Sequence, residues 1–425
     1  MRISSEHIQD TGQTLSTHQK DWEYLQDKLE SQGKSTEEIL RSLQAFQVAI
    51  PSWALGAGGT RFGRFSIGGE PGSLEQKLED IGIIHALTRS AGAVSLHIPW
   101  DIPQDVQAIR EFASSLEIGF DAVNSNTFQD QKAQSHSYKF GSLGNVNKAS
   151  RDEAIAHNRK VIEIGKQLGS SSITVWLADG SCFPGQSDFR QSLEHTQDSL
   201  QQIYSHLPDH WKMLIEYKPY EPNFYSTIIQ DWGTSFLLAN ACGENAFCLV
   251  DLGHHLPNTN IEQIVSTLFW QEKLGGFHFN DSKYGDDDLT VGSMKPYQLF
   301  LIFHELVKGM NRSGNNPVPE WMIDASHNVK DPLEDLIQSL EAIRVAYARA
   351  MLIDQSALQI AQQAHDVVRA QEILQEAFRT DVRPMVREAR RKAGGAIYPI
   401  ETYRALNVRK TLIQERGNIT VATGL

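Results

Sequence analysis

The sequence predicts an α/β chain built on a (β/α)8 TIM barrel with N-terminal helices and a helical C-terminal extension, and three observations carry that prediction. Short apolar runs alternate with longer helical patterns eight times through the middle of the chain; such alternation implies parallel strands joined by helical crossovers. Eight units are the number that closes into a barrel. Polar and charged residues stand at the C-terminal ends of nearly every run, where barrel enzymes carry their chemistry. A doubly wound open sheet is the main structural alternative.

The chain divides into a helical segment over 1–47, the barrel over 48–351 and an extension over 352–425. Between Ser4 and Phe46, Trp22, Leu25 and Leu29, then Ile39, Leu43 and Phe46, recur at helical spacing, predicting two or three helices broken at Gly33. Ser35 and Glu38 have the spacing of a capping box. Strands are expected at Val48–Leu55, Ala93–Trp100, Gly119–Asn124, Ser172–Leu177, Lys212–Lys218, Phe247–Asp251, Gly275–Asn280 and Trp321–Ala325. Their helices are expected at Ser73–Arg89, Gln104–Ser115, Ser150–Leu168, Phe189–His206, Thr227–Ala241, Ile261–Glu272, Pro296–Lys308 and Pro332–Met351. The extension reads as helices over Ser356–Arg379 and Val382–Lys392. Such appendages often cover a neighbouring subunit, so a homo-oligomer is expected.

Composition narrows the function classes. A chain of 425 residues with 40% hydrophobic content can bury a large core. The net charge of -13 argues against a wide phosphate-binding surface, so no nucleic acid partner is expected. The basic run Arg387–Lys392 has acidic residues near it and reads as an ion-paired or solvated face. Cys182, Cys242 and Cys248 lack the number and spacing of a disulfide framework or a zinc knuckle. The start of the chain is polar and no run approaches a membrane span. A soluble cytoplasmic protein without a membrane partner is expected.

The chain's most informative stretch is Gly276–Leu289, in which a histidine sits inside a short apolar run and a polar loop ends in three carboxylates. In a strand, His278 points away from both Phe277 and Phe279. Alone it would more often be a hydrogen-bonded core residue than a ligand. The other strand ends change that balance: Glu216-Tyr-Lys218, Asp251-Leu-Gly-His254 and Asp324-Ala-Ser326 follow the fifth, sixth and eighth strands. Glu216, Asp251, His278 and Asp324 thus reach one rim. Three carboxylates and one imidazole suit a divalent ion such as Mn²⁺, Co²⁺, Mg²⁺ or Zn²⁺. His254, Asp286 and Asp288 make a second small set; in an extended loop Asp286 and Asp288 face the same way and Asp287 elsewhere. A second ion with positions open to substrate oxygens follows.

These residues resemble the L-rhamnose isomerase family, particularly its bacterial branch with broad aldose-ketose specificity. The resemblance rests on Glu216-Tyr-Lys218, Asp251-Leu-Gly-His254, Phe277-His-Phe-Asn-Asp281, Asp286-x-Asp288 and Asp324-x-Ser326, in order. It implies a sugar substrate and two divalent ions, Mn²⁺ first. Glu216, Asp251, His278 and Asp324 would hold the structural ion, and His254, Asp286 and Asp288 the catalytic one. It further implies that Trp53, His97, Trp176, Glu216, Lys218 and His254 contact the sugar, that the loop around Phe62 reaches a neighbouring subunit's site, and that the assembly is a tetramer. Asp324, Ser326, Lys218 and His97 are the expected catalytic residues, and Phe128 an apolar wall. The competing readings are a sugar epimerase of the same barrel type, a metal-dependent phosphodiesterase and a non-catalytic carbohydrate-binding barrel. Asp286→Asn is expected to abolish turnover while leaving much of the stability, and His278→Ala to weaken both.

Overall fold

Strand pairing closes into a ring. The computed structural model describes residues 2–9, 15–56, 66–221, 225–311, 318–325 and 329–418. Eight strands, β1 (Ala49–Pro51), β2 (Ala93–Ile98), β3 (Gly119–Ser125), β4 (Ser172–Val175), β5 (Lys212–Glu216), β6 (Ala246–Asp251), β7 (Leu274–Phe279) and β8 (Glu320–Ile323), form a closed barrel. Every neighbouring pair is parallel, and β1 against β8 completes the circle. This is the (β/α)8 barrel, not an open sheet. Ala122, Leu214, Phe247 and Leu249 form a small apolar cluster of their own. Alternation along β5 and β6 then sends Glu216 and Asp251 to the same face as Leu214 and Leu249, at the C-terminal rim.

The crossover helices start where short polar side chains satisfy free amides. Ser73, Asp105, Asn147, Asp188, Asn260 and Asp331 each accept a bond from the first turn of the helix that follows. Ser35 does the same for Glu38 N before the helix Thr36–Ala45. The helices bury aliphatic faces against the outside of the strands in one large core.

Several expectations are corrected. The first strand ends at Pro51 and runs on as the 3₁₀ turn Ser52–Leu55, since proline lacks the N–H that would continue the ladder. The helix expected from Thr227 begins at Trp232, capped by Asp231. Tyr225–Thr227 instead pairs with Tyr220–Glu221 and Gly180–Ser181 in an antiparallel three-stranded sheet. Strands of two or three residues carry too little periodicity to be read from sequence. Gly180 is required there, because a Cβ would lie 2.1 Å from the Ser226 carbonyl oxygen. The helix expected over Ser356–Arg379 is two, Gln355–Gln363 and Val367–Arg379. His365 turns left-handed between them and Asp366 caps the second.

The N-terminal helices Leu15–Ser31 and Thr36–Ala45 pack through Trp22, Leu25, Leu29 and Leu43 against Met385, Val386 and Ala389 of the helix Arg383–Lys392. Buried His18 lies 3.0 Å from Glu388 across this contact. Part of the basic run is taken up by the fold: Arg390 is buried, pairs with Glu341 and donates to the carbonyls of Ala396 and Ile397, and exposed Arg391 pairs with Glu388. Among the described residues, no helix is long and apolar enough to cross a membrane.

Candidate active site

Four strand ends deliver the centre of the site. Glu216 and Asp251 end β5 and β6, His278 is the penultimate residue of β7, and Asp324 follows β8. One ligand atom from each lies within 4.8 Å of all the others. His278 Nδ1 is 3.3 Å from Glu216 Oε1, 3.6 Å from Asp251 Oδ2 and 3.8 Å from Asp324 Oδ2. His278 Nδ1 and Asp251 Oδ2 are buried without a hydrogen-bond partner, a costly state for polar atoms. Three carboxylates held this closely also repel one another. Both strains would be relieved by one divalent cation among the four groups, so the donor set fits such an ion and its oxygen bias suits a hard one.

The charges respond to this crowding. Burial by itself would lower His278, yet Glu216 and Asp251 outweigh it and hold the imidazole well above its ordinary range. Glu216 is held far below the carboxylate range against its burial by His278 and His254. Asp324 is raised, by burial first, with Asp251 and Glu216 adding repulsion. Neighbours fix the ligand oxygens from behind. Asp251 Oδ1 accepts from Asn280 Nδ2 at 2.9 Å and from Gly253 N at 2.7 Å. Asp324 Oδ1 accepts from Trp53 Nε1 at 3.1 Å. Supports of this kind set the orientation of a ligand group.

The second set is only partly assembled. His254 Nε2 lies 3.0 Å from Asp286 Oδ1, and Asp288 lines the same cavity. Among the described residues, the β5–β8 group is the one set of three or more such side chains within that spacing. Asp286 Oδ2 is 2.7 Å from the ammonium of Lys218, which also lies 3.0 Å from Glu221 and over the Trp176 ring at 5.3 Å. The loop is not extended as expected. Asp286 and Asp288 adopt φ of 56° and 44°, a conformation aspartate tolerates better than most residues. Asp287 turns back to accept from Ser282 Oγ and from the amides of Lys283, Tyr284 and Gly285, which curls the chain.

Above the rim lies a cavity of about 280 Å³. An aromatic arc walls one side: His97 lies 5.2 Å from Trp53 and 5.5 Å from Phe128, and Phe128 lies 4.9 Å from Trp176, centroid to centroid. Burial holds His97 down to about 4, and its Nδ1 has no hydrogen-bond partner. Glu216, His254, His278, Asp288 and Asp324 also line it. Phe62 and Ser326 fall outside the described residues. Sequence reasoning missed Asn280 and the wall residues Gln129, Glu221 and Tyr225. Asn280 stood inside the histidine motif and offered a signal, whereas Glu221 and Tyr225 belong to strands too short to read.

The xylose isomerase-like TIM barrel family matches residues 84–341. The chain is 51% identical over 405 residues to a probable sugar isomerase of Rhizobium meliloti, covering 95% of this chain and 94% of that one. It is 49% identical to a probable sugar isomerase of Mesorhizobium japonicum, covering 96% and 94%. The chain belongs to the xylose isomerase-like TIM barrel family. In fold it resembles the 3-keto-D-glucoside 4-epimerase of E. coli, at 12% identity and a TM-score of 0.50, over 68% of this chain and 98% of that one. In this xylose isomerase-like barrel the cavity, its aromatic wall and the cluster of Glu216, Asp251, His278 and Asp324, which could hold a metal ion, all sit at the C-terminal rim, as strand direction dictates.

Proposed function

We propose that this protein is a metal-dependent aldose-ketose isomerase, with L-rhamnose and L-rhamnulose as its first substrate pair and sugars such as D-allose and D-allulose within its range. The carrying observation is the convergence of Glu216, Asp251, His278 and Asp324 at the floor of an aromatic-walled cavity. The two sugar isomerases it resembles over nearly its whole length support the reading. The protein would act in the cytoplasm as a homotetramer, as the resemblance implies, and the exposed apolar side chains Ile360, Val367 and Val368 on its extension would suit a contact between subunits.

In this reading Glu216, Asp251, His278 and Asp324 hold one divalent ion, and His254, Asp286 and Asp288 a second, with Mn²⁺ the first choice. Bound there, the ions would polarise the sugar carbonyl and stabilise charge on O1 and O2. Isomerisation moves one hydrogen between C2 and C1 and one proton between O2 and O1. His97 is unprotonated at neutral pH, so its free nitrogen can accept the hydroxyl proton released on ring opening. Lys218, held as an ammonium between Asp286 and Glu221, supplies positive charge near the substrate oxygens. Trp53, Phe128 and Trp176 shield the C–H faces of the sugar from water. Asp324 and Ser326 would shuttle the proton between O1 and O2.

The test is incubation of purified protein with Mn²⁺ and L-rhamnose, L-mannose, D-allose or D-allulose, with products resolved by chromatography. Aldose-ketose exchange abolished by EDTA is expected. Products that differ only in the configuration of one carbon would establish an epimerase instead, and no conversion of any sugar by metal-loaded protein would sink the reading.

A further inference from the structure

The barrel closes where β1 meets β8, and the active site straddles that seam: Trp53, just after β1, donates to Asp324, just after β8. The chain returns from the β1 end at Ser66 and reaches the helix Pro332–Met351 through Asp331. The last helix, Val408–Arg416, lies across both returning segments. Arg409 joins them. Its Nε and Nη2 donate to the two oxygens of Asp331 at 2.9 and 2.7 Å, and its Nη1 donates to the carbonyls of Gly68 and Gly69 at 3.1 and 3.4 Å. Tyr403, on the preceding helix, donates to the same Asp331 carboxylate at 2.7 Å.

The far end of the helix repeats the arrangement on one side of the seam. Arg416 lies 2.7 Å from fully buried Asp80 and donates to the Gly69 carbonyl at 3.2 Å, while Gly69 N donates to Gly417 O at 2.9 Å. Gly69 has φ +72°, and a Cβ there would sit 2.8 Å from Ile413 N, so only glycine lets the helix approach so closely. A planar fork that satisfies a carboxylate and two carbonyls at once fixes relative position in a way a flexible ammonium does not.

We propose that Arg409 is a positioning residue for the metal centre: by tying Asp331 to the Gly68–Gly69 turn it fixes the starts of the helices Leu74–Thr88 and Pro332–Met351, which both pack against the turn Ser52–Leu55, and so the contact of Trp53 with Asp324. This assigns the C-terminal helix a role at the active site, and it rests on reading Glu216, Asp251, His278 and Asp324 as a metal centre. Arg409→Met, Arg409→Lys and Asp331→Asn test it, the last because asparagine keeps the helix cap while weakening the fork. Arg404→Ala is the control, since it removes an exposed pair with Glu334 on the same extension without touching either loop.

Calorimetric titration with Mn²⁺, hydrogen exchange and circular dichroism are measured on the full chain. Arg409→Met is expected to bind Mn²⁺ roughly tenfold more weakly, to exchange faster over 66–73 and 329–333, and to raise KM more than it lowers kcat. Arg409→Lys and Asp331→Asn should fall between it and wild type, and Arg404→Ala should match wild type. Mn²⁺ affinity in Arg409→Met or Asp331→Asn equal to that of Arg404→Ala, in folded protein, would overturn the proposal. Titration and exchange need no turnover, so a protein inactive on every sugar would count against the proposed function alone.

Discussion

Asp286 shows how one side chain can hold two duties. Its carboxylate is buried between the Lys218 ammonium and the His254 imidazole. Neutralising it therefore leaves the buried Lys218 ammonium with one carboxylate fewer, so Asp286→Asn should carry some cost in stability. With Glu221 still beside Lys218, the substitution should cost on the order of 2 kcal/mol in urea denaturation as well as abolishing turnover. Unchanged stability would mean that the pair contributes nothing in solution. His97 and His157 set an acid limit. Burial holds both down to about 4, below the unfolded value near 6.5. The unfolded chain then binds more protons, so their stabilising contribution is complete above about pH 6.5 and is lost as pH falls towards 4. Denaturation at pH 7.5 and pH 5 should show wild type losing more stability on going to pH 5 than His157→Gln does. The residue types at the site were legible because histidine and aspartate are uncommon within apolar runs. The Lys218 pairing was not, since nothing local in sequence brings position 218 to position 286.

At the scale of elements, the loop from Asp281 to Leu289 carries its geometry in one side chain. Asp287, excluded from either ligand set, gathers the amides of Lys283, Tyr284 and Gly285 with the Ser282 hydroxyl. Asp281 meanwhile receives Met294 N and Lys295 N at the start of the helix Pro296–Met310. Asp287→Ala should release the turn and misplace Asp286 and Asp288. The expected outcome in a Mn²⁺ titration is loss of the weaker binding event with the tighter one retained. Equal weakening of both would show that the loop supports the β5–β8 group too.

For the whole molecule, metal and stability should be linked, because the three carboxylates that repel in the folded barrel separate on unfolding. Mn²⁺ at about a hundred times its dissociation constant should add about 2.7 kcal/mol. Differential scanning calorimetry with Mn²⁺ and with EDTA should show this as a raised melting temperature in wild type and a smaller rise in Glu216→Gln. An equal rise in both would place the stabilising ion elsewhere.

The alternation of eight apolar runs with helical patterns determined the barrel, and strand direction then placed the ends of β5 to β8 on one rim; both follow from local periodicity and a fixed connection rule. What only the tertiary structure decided is long-range or contrary to local pattern. It decided that Glu216, Asp251, His278 and Asp324 converge within 4.8 Å, that Tyr220–Glu221 and Tyr225–Thr227 form a hairpin wall, and that Arg409 joins the loops on either side of the closing seam. Such contacts depend on barrel closure and on packing between residues as far as 341 positions apart, and no stretch of sequence encodes them alone.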